Sequence, residues 1–321
     1  MAMSEDAERL RRLQARWAAM LRAKGLDAEA ATGDAGALEC FIKGGALALK
    51  QRQERGNWVQ MEVGYAQVTD LPALFGAIRD LAIDLLADDQ ITNHFFMRKP
   101  PGLRLRFEAS RAPNALRARL HDQAGAWRGA GLITDYGFGL YEPECQLFGG
   151  PQSMTHVHAL FTLDTLAWLN WFGTEGGRGQ TETWRASFAL LRAVLDGLEI
   201  VGWEDLGVWS QVVDGAGRRL PPQSFTTREE QAALTAPVLR WWSEAGDADT
   251  LVRNEASAMM AAAARWRHGY FRRPECRIGA RQAAALFTIY HWNRAGLSPV
   301  EQGLIAETLA HRRSDRRGSA A

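Results

Sequence analysis

Two arginines stand two residues apart in the stretch Gly102-Leu103-Arg104-Leu105-Arg106-Phe107. In a strand that spacing puts Arg104, Arg106 and Glu108 on one face and Leu103, Leu105 and Phe107 on the other. One face is expected to pack and the other to display two guanidiniums. Planar forks that stay charged at any working pH bond carboxylates bidentately, so such a pair suits a ligand with more than one carboxylate. A second segment, Tyr141-Glu142-Pro143-Glu144 through Phe148-Gly149-Gly150, adds a phenol, carboxylates and a glycine pair. A third, Tyr290-His291-Trp292-Asn293-Arg294, offers an imidazole that titrates near working pH, suited to general acid or base work. Each has a plainer explanation. Arginines on an exposed sheet face can simply be solvated, Glu144 can be the buried partner of an arginine, and a lone histidine on an aromatic helix is more often a satisfied core residue. His156 and His158 fall on different faces of a helix and read as structural; Asp164 could cap a local turn.

Positioning these groups takes a sheet and several helices. Residues 58–63 and 94–107 read as strands, the latter a hairpin around Pro100-Pro101-Gly102, and 132–142 looks extended, with Gly137 and Gly139 marking a bend or close backbone approach. Between them Thr69-Asp70-Leu71-Pro72 signals a helix start, followed by an apolar stripe of Leu71, Leu74, Phe75, Ile78, Leu81, Leu85 and Leu86. Pro113 and Asn114 open another helix. After Gly149-Gly150-Pro151 the periodicity is helical throughout: 155–172, 181–200, 227–244, 249–268, 278–292 and 299–311. Thr227 and Ser298, each followed three residues on by glutamate, are capping signals, and Gly296 is placed to end a helix. The expectation is an α+β protein with an antiparallel sheet in its first half, packed against a mainly helical second half. Residues 1–57 read as a helical extension that includes an amphipathic helix over 5–24, a Gly/Ala/Asp-rich loop over 25–36 and a further element over 37–53; 313–321 reads as a disordered tail.

Composition narrows the function classes. The chain has 321 residues, 46% of them apolar, and a formal net charge of +1, enough for a core and without the large electropositive surface of a duplex nucleic-acid or anionic-membrane binder. Cys40, Cys145 and Cys276 form no CxxC pair and no cluster with metal spacing, so reduced, non-metal cysteines are expected. No signal-peptide-like or membrane-length apolar run is found, and the expectation is a soluble, cytoplasmic protein. No Gly-rich phosphate loop is present either; no nucleotide, flavin or metal cofactor is expected. Twelve tryptophans, many beside leucines at helical spacing, read as core packing in preference to an aromatic peptide groove.

Three stretches, in order and spacing, resemble the C-terminal domain of class I lantibiotic dehydratases, also found as stand-alone thiopeptide-type bacteriocin biosynthesis proteins. They are His94-Phe95-Phe96-Met97-Arg98-Lys99-Pro100-Pro101-Gly102-Leu103-Arg104-Leu105-Arg106-Phe107, Tyr141-Glu142-Pro143-Glu144 through Gly149-Gly150, and Tyr290-His291-Trp292-Asn293-Arg294. Phe161-Thr162-Leu163-Asp164-Thr165 resembles the family's Asp-Ser step. The resemblance covers residues 58–312. It implies an enzyme that eliminates glutamate from glutamylated serine or threonine of a ribosomal precursor peptide, leaving dehydroalanine or dehydrobutyrine. It implies catalytic roles for Arg104, Arg106, Glu144 and His291, and peptide contacts for Arg98, Lys99, Tyr141, Asn293 and Arg294. The implied partners are the precursor peptide and a separate glutamylating subunit; self-pairing as a homodimer stays open.

Two positions depart from the family pattern. Leu147 stands where a further arginine is usual, and Ile289 stands where the fused dehydratases carry their histidine. His291, two residues on, is rotated by about 200° on an ideal helix. Two other functions therefore stay open: a [4+2] cyclase that joins two dehydroalanines into a nitrogen heterocycle, and a non-catalytic scaffold that binds peptide along a sheet edge such as the hairpin around Pro100.

Overall fold

The computed structural model describes residues 44–45, 57–173, 179–221, 224, 227–245 and 252–312. The helix expected over 5–24, the loop over 25–36 and the tail 313–321 lie outside the described residues, as does the 37–53 element apart from Gly44 and Gly45. Strands β1 (Trp58–Gly64), β2 (Ile91–Lys99), β3 (Gly102–Ala109) and β4 (Tyr136–Gly139) form an antiparallel sheet in the order β2-β3-β1-β4. Helix α1 (Leu71–Ala87) joins β1 to β2, and α2 (Pro113–Gly129) joins β3 to β4. β1 and β2 thus run parallel with β3 between them, the split β-α-β arrangement. The second half is helical: α3 (Pro151–Gly173), α4 (Gln180–Gly197), α5 (Leu206–Asp214), α6 (Arg228–Glu244), α7 (Arg253–Trp266) with a π turn at Arg267–Phe271, α8 (Ala280–Ala295) and α9 (Pro299–Ala310). The protein is α+β.

Register sets the two faces of the sheet. Gln60 pairs with Arg106, Glu62 with Arg104, and Phe95 with Arg106 from the other side. Trp58, Gln60, Glu62, Phe95, Arg104 and Arg106 therefore share one face. On the other, Met61, Phe96, Leu105 and Phe107 are fully buried, and α1 brings Phe75 to 5.4 Å from the Phe96 ring. α1 forms because apolar residues recur every three or four positions along it, with Pro72 in its first turn. Asp70 does not cap it: its carboxylate accepts the Gln67 N–H at 3.0 Å inside a short 3-10 turn.

Several expectations change. The arginine face is not an open display, because Arg106 is only 8% exposed; α3, α8 and the segment after β4 cover it, none of which strand alternation can anticipate. The stretch 132–142 contributes a strand only over Tyr136–Gly139, and the chain beyond it turns in to bury Tyr141. The β2 edge is occupied. Its His94 and Phe96 N–H groups donate to Thr162 Oγ1 (3.1 Å) and Thr165 Oγ1 (3.4 Å) of α3, which removes that edge as a template for an added strand. α5 was not anticipated from the periodicity; nine residues are too few for a stripe to stand out. Local signals fared better. Thr227 and Ser298 accept the N–H groups of Glu230 and Glu301, and Gly296 ends α8 in the left-handed region at φ 80°. Eight of the eleven tryptophans among the described residues are buried, the core role their spacing suggested, while Trp203 is 64% exposed.

Gly102 opens β3 where it crosses Val63: a Cβ there would stand 2.0 Å from the Val63 carbonyl oxygen. Gly102→Ala is expected to push β1 from β3 and cost about 1–3 kcal/mol. A lower urea midpoint at unchanged m-value is the expected readout.

Candidate functional site

Arg106 lies at the centre of the covered face. Its Nε donates to Gln60 Oε1 at 2.9 Å, and its guanidinium carbon sits 4.5 Å from the centre of the Tyr141 ring and 5.1 Å from that of Phe95. Among the described residues no carboxylate forms an ion pair with it. Burial pulls its pKa below the ordinary arginine value, and Tyr141 and Glu144 offset part of that shift. It remains a cation in a site that water barely reaches. Arg104 is different: its Nε is 3.0 Å from Glu62 Oε1, and both side chains are partly solvated. Gln60 Nε2 also donates to Glu62 Oε1, at 3.2 Å. Arg106, Gln60, Glu62 and Arg104 thus form one polar row across β3 and β1.

Opposite this row stand two phenols, a carboxylate and an imidazole. The Tyr141 hydroxyl lies 3.0 Å from His158 Nε2 on α3 and 3.5 Å from Glu144 Oε2. Its single proton can serve only one of the two at a time. Tyr290 of α8 faces the same Glu144 carboxylate, whose charge acts on its hydroxyl. Burial, and then the Glu144 charge, push both phenols above the ordinary tyrosine value, so they stay protonated. Burial, and then Arg106, lower the His158 pKa to about 3, which leaves a neutral imidazole packed against Trp58 and Phe95. The turn that carries Glu144 is anchored from behind. Phe148 is fully buried against Phe161 and Tyr290, and Gly149, at φ 87°, leaves room only for the Tyr270 hydroxyl, which donates to its carbonyl at 2.8 Å.

His291 sits in other surroundings than its neighbour Tyr290. It is fully buried; Nδ1 lies 2.6 Å from Asp164 Oδ1 and Nε2 lies 2.9 Å from Ser187 Oγ. Arg294 Nε donates to the second Asp164 oxygen at 2.6 Å. One carboxylate therefore holds both. Burial alone would raise the Asp164 pKa, but His291 and Arg294 outweigh it and hold the group below the usual carboxylate range. The Phe161 ring stands between the two groups, 5.1 Å from Tyr290, 5.2 Å from Phe95 and 4.4 Å from the Arg294 guanidinium.

Of the residues singled out in the sequence, Arg104, Arg106, Tyr141 and Glu144 come together. The others lie apart. Arg98 stacks between Phe75 and Phe172, 5.0 Å from each ring, and its Nε donates to the Arg294 carbonyl; burial lowers its pKa to about 10. Asn293 accepts from Gln302 of α9. Lys99 is exposed at an open cleft of about 290 Å³ that Arg104, Glu62 and Asp135 also line. Leu147 is 53% exposed. His158, Tyr290 and Gln60 were not predicted as site residues. Tyr290 adjoins His291, but only the helix phase tells which of the two faces Glu144, and Gln60 requires the strand register. Among the described residues no group of three or more His, Cys, Asp or Glu side chains could hold a metal ion.

Two tests follow from the buried charges. Asp164→Asn leaves Arg294 without its counter-charge, and a loss of about 3–5 kcal/mol is expected in urea unfolding. His94, whose pKa burial lowers to about 4, and His158 are neutral in the fold, whereas the unfolded chain protonates them below about pH 6.5. The unfolded state then binds more protons. Stability is therefore expected to be full above about pH 7 and to fall between about 6.5 and 4, by up to roughly 1.4 kcal/mol per pH unit for each imidazole. Unfolding curves that do not shift over that range would contradict the burial of both rings as neutral groups.

Residues 58–312 match the family described as lantibiotic biosynthesis dehydratase C-term. No curated protein matches. Among solved structures, the tRNA-dependent lantibiotic dehydratase MibB from Microbispora sp. 107891 is 18% identical with a TM-score of 0.55, over 79% of this chain and 28% of that one. The pyridine synthase TbtD from thiomuracin biosynthesis is 18% identical with a TM-score of 0.51, over 79% of this chain and 96% of that one. The chain spans less than a third of the dehydratase and nearly the whole length of the synthase, and at this identity the likeness is one of fold. Among the described residues no helix is long and apolar enough to cross a membrane. With the match running from β1 through α9, the chain belongs to the lantibiotic biosynthesis dehydratase C-terminal family.

Proposed function

We propose that the protein eliminates glutamate from glutamylated serine or threonine of a ribosomal precursor peptide, at the cluster of Arg106, Tyr141, Glu144 and Tyr290. The observation that carries this reading is Arg106, a buried guanidinium with no ion pair among the described residues, beside the Glu144 carboxylate and the phenols of Tyr141 and Tyr290. A desolvated cation of this kind is costly unless an anion completes it. The glutamyl group supplies one.

In the proposed step Glu144 takes the α-proton, the C–H electrons form the Cα=Cβ bond, the Cβ–O ester bond breaks, and glutamate departs as a carboxylate. Arg106 stabilises the charge as it moves from the enolate-like carbonyl to the leaving group. Arg104, solvated enough to leave Glu62, gives a second contact, and Lys99 lies along the peptide's path. His291 is a positioning residue, because both ring nitrogens are engaged; through α8 it sets the phase of Tyr290. Arg98, Asn293 and Arg294 hold that helix in place. Glutamylation of the precursor would precede this step.

The cyclase reading is favoured by one observation: Leu147 presents an apolar surface where a further arginine is usual, so the grip on glutamate is thinner than the family pattern. Incubation with a glutamylated precursor separates the readings. Elimination predicts free glutamate with the matching mass loss, reduced about 10²–10³-fold by Arg106→Lys and by Glu144→Gln. Intact glutamylated peptide, together with a pyridine-like absorbance from a dehydroalanine-containing precursor, would favour the cyclase. Peptide binding without either product would leave the scaffold.

A further inference from the structure

The end of α7, its π turn and the loop that follows carry Arg265, Arg267, Arg272, Arg273 and Arg277, with Glu275 the one carboxylate in that stretch. Glu199 takes up Arg267 and Arg272. Arg265, Arg273 and Arg277 are exposed, and among the described residues none of them forms an ion pair with a carboxylate. The strip is held in place. His156 of α3 lies against the π turn so closely that a Cβ on Gly269 would stand 2.4 Å from its Nε2. Burial, and then the nearby charges of Arg265 and Arg273, keep that imidazole below its ordinary pKa, which places both guanidiniums around it. Tyr270 accepts the Arg277 N–H at 2.9 Å and donates to the Gly149 carbonyl at 2.8 Å. One hydroxyl thus joins the cationic loop to the turn that carries Glu144.

We propose that this strip is a docking surface for an acidic segment of the substrate peptide, a run of Asp and Glu residues outside the residue being modified. It rests on the reading that the substrate is a peptide, not on the reaction. Three uncommitted guanidiniums next to the site match a few side-chain carboxylates. They are too few for a nucleic acid, whose binding needs a longer track of phosphate contacts or stacking platforms. The near-neutral net charge of the chain adds no broader field. The buried Gly149–Tyr270 hydrogen bond fixes the strip behind the turn that carries Glu144.

Fluorescence anisotropy with the full-length protein tests this. The probes are a labelled Glu-rich peptide, the same peptide with Gln for Glu, and a single-stranded RNA of similar length. The Glu-rich peptide is expected to bind at least about tenfold tighter than its Gln counterpart, with affinity that falls as salt rises. The combined Arg265→Gln, Arg273→Gln and Arg277→Gln variant should lose at least about tenfold while keeping its thermal midpoint. If that variant does not fold, Arg273→Gln alone should weaken binding about threefold. Equal binding of the two peptides, tighter binding of the RNA, or unchanged affinity in the variants would overturn the proposal. Absence of glutamate release with the acidic peptide still bound would overturn the reaction and leave the strip standing.

Discussion

The buried carboxylate of Asp164 locks two helices of the helical half to each other. It sits on α3, accepts from Arg294 and contacts His291, both on α8, and all three side chains are removed from solvent. The Arg294 guanidinium would be expensive to bury alone, and the Asp164 carboxylate is what makes it tolerable. α3 in turn closes the β2 edge through Thr162 and Thr165 and presents His158 to Tyr141. Once α3 and α8 are locked to each other, Tyr290 and Phe161 have defined places over the arginine face of the sheet. The site is a consequence of that lock.

The same arrangement sorts the cations by task. Arg294 and Arg98 are spent on the fold, one on Asp164 and the other on a helix-end carbonyl between two phenyl rings. Arg104 is half-spent on Glu62. Arg106 keeps an aromatic lid and one amide partner, so its charge is available to an incoming anion. Beside it the phenols of Tyr141 and Tyr290 stay protonated and His158 stays neutral, which is why the proposed reaction takes Glu144 as its proton acceptor. This division suits removal of a proton next to developing negative charge.

Much of this was legible in the sequence where the chemistry is local. Helix starts at Thr227 and Ser298, the stop at Gly296 and the alternation of Leu103, Leu105 and Phe107 against Arg104 and Arg106 all depend on near neighbours along the chain. What lay beyond reach was long-range. Arg106 was expected to be displayed and is covered, because Tyr141 and α3 come from elsewhere in the chain. His291 drew notice as the titratable member of its motif, yet its neighbour Tyr290 reaches Glu144, a choice made by how α8 is rotated against α3. Gln60 became part of the site through strand register alone.

The most direct test of Arg106 as the anion grip is a crystal structure of the protein with a precursor peptide whose glutamyl ester is replaced by an amide, which cannot eliminate. The glutamyl group is expected to lie within hydrogen-bond distance of the Arg106 guanidinium, with the α-carbon of the modified residue facing Glu144. An analogue bound elsewhere on the protein, with Arg106 still covered by Tyr141 and in contact with no ligand oxygen, would contradict it.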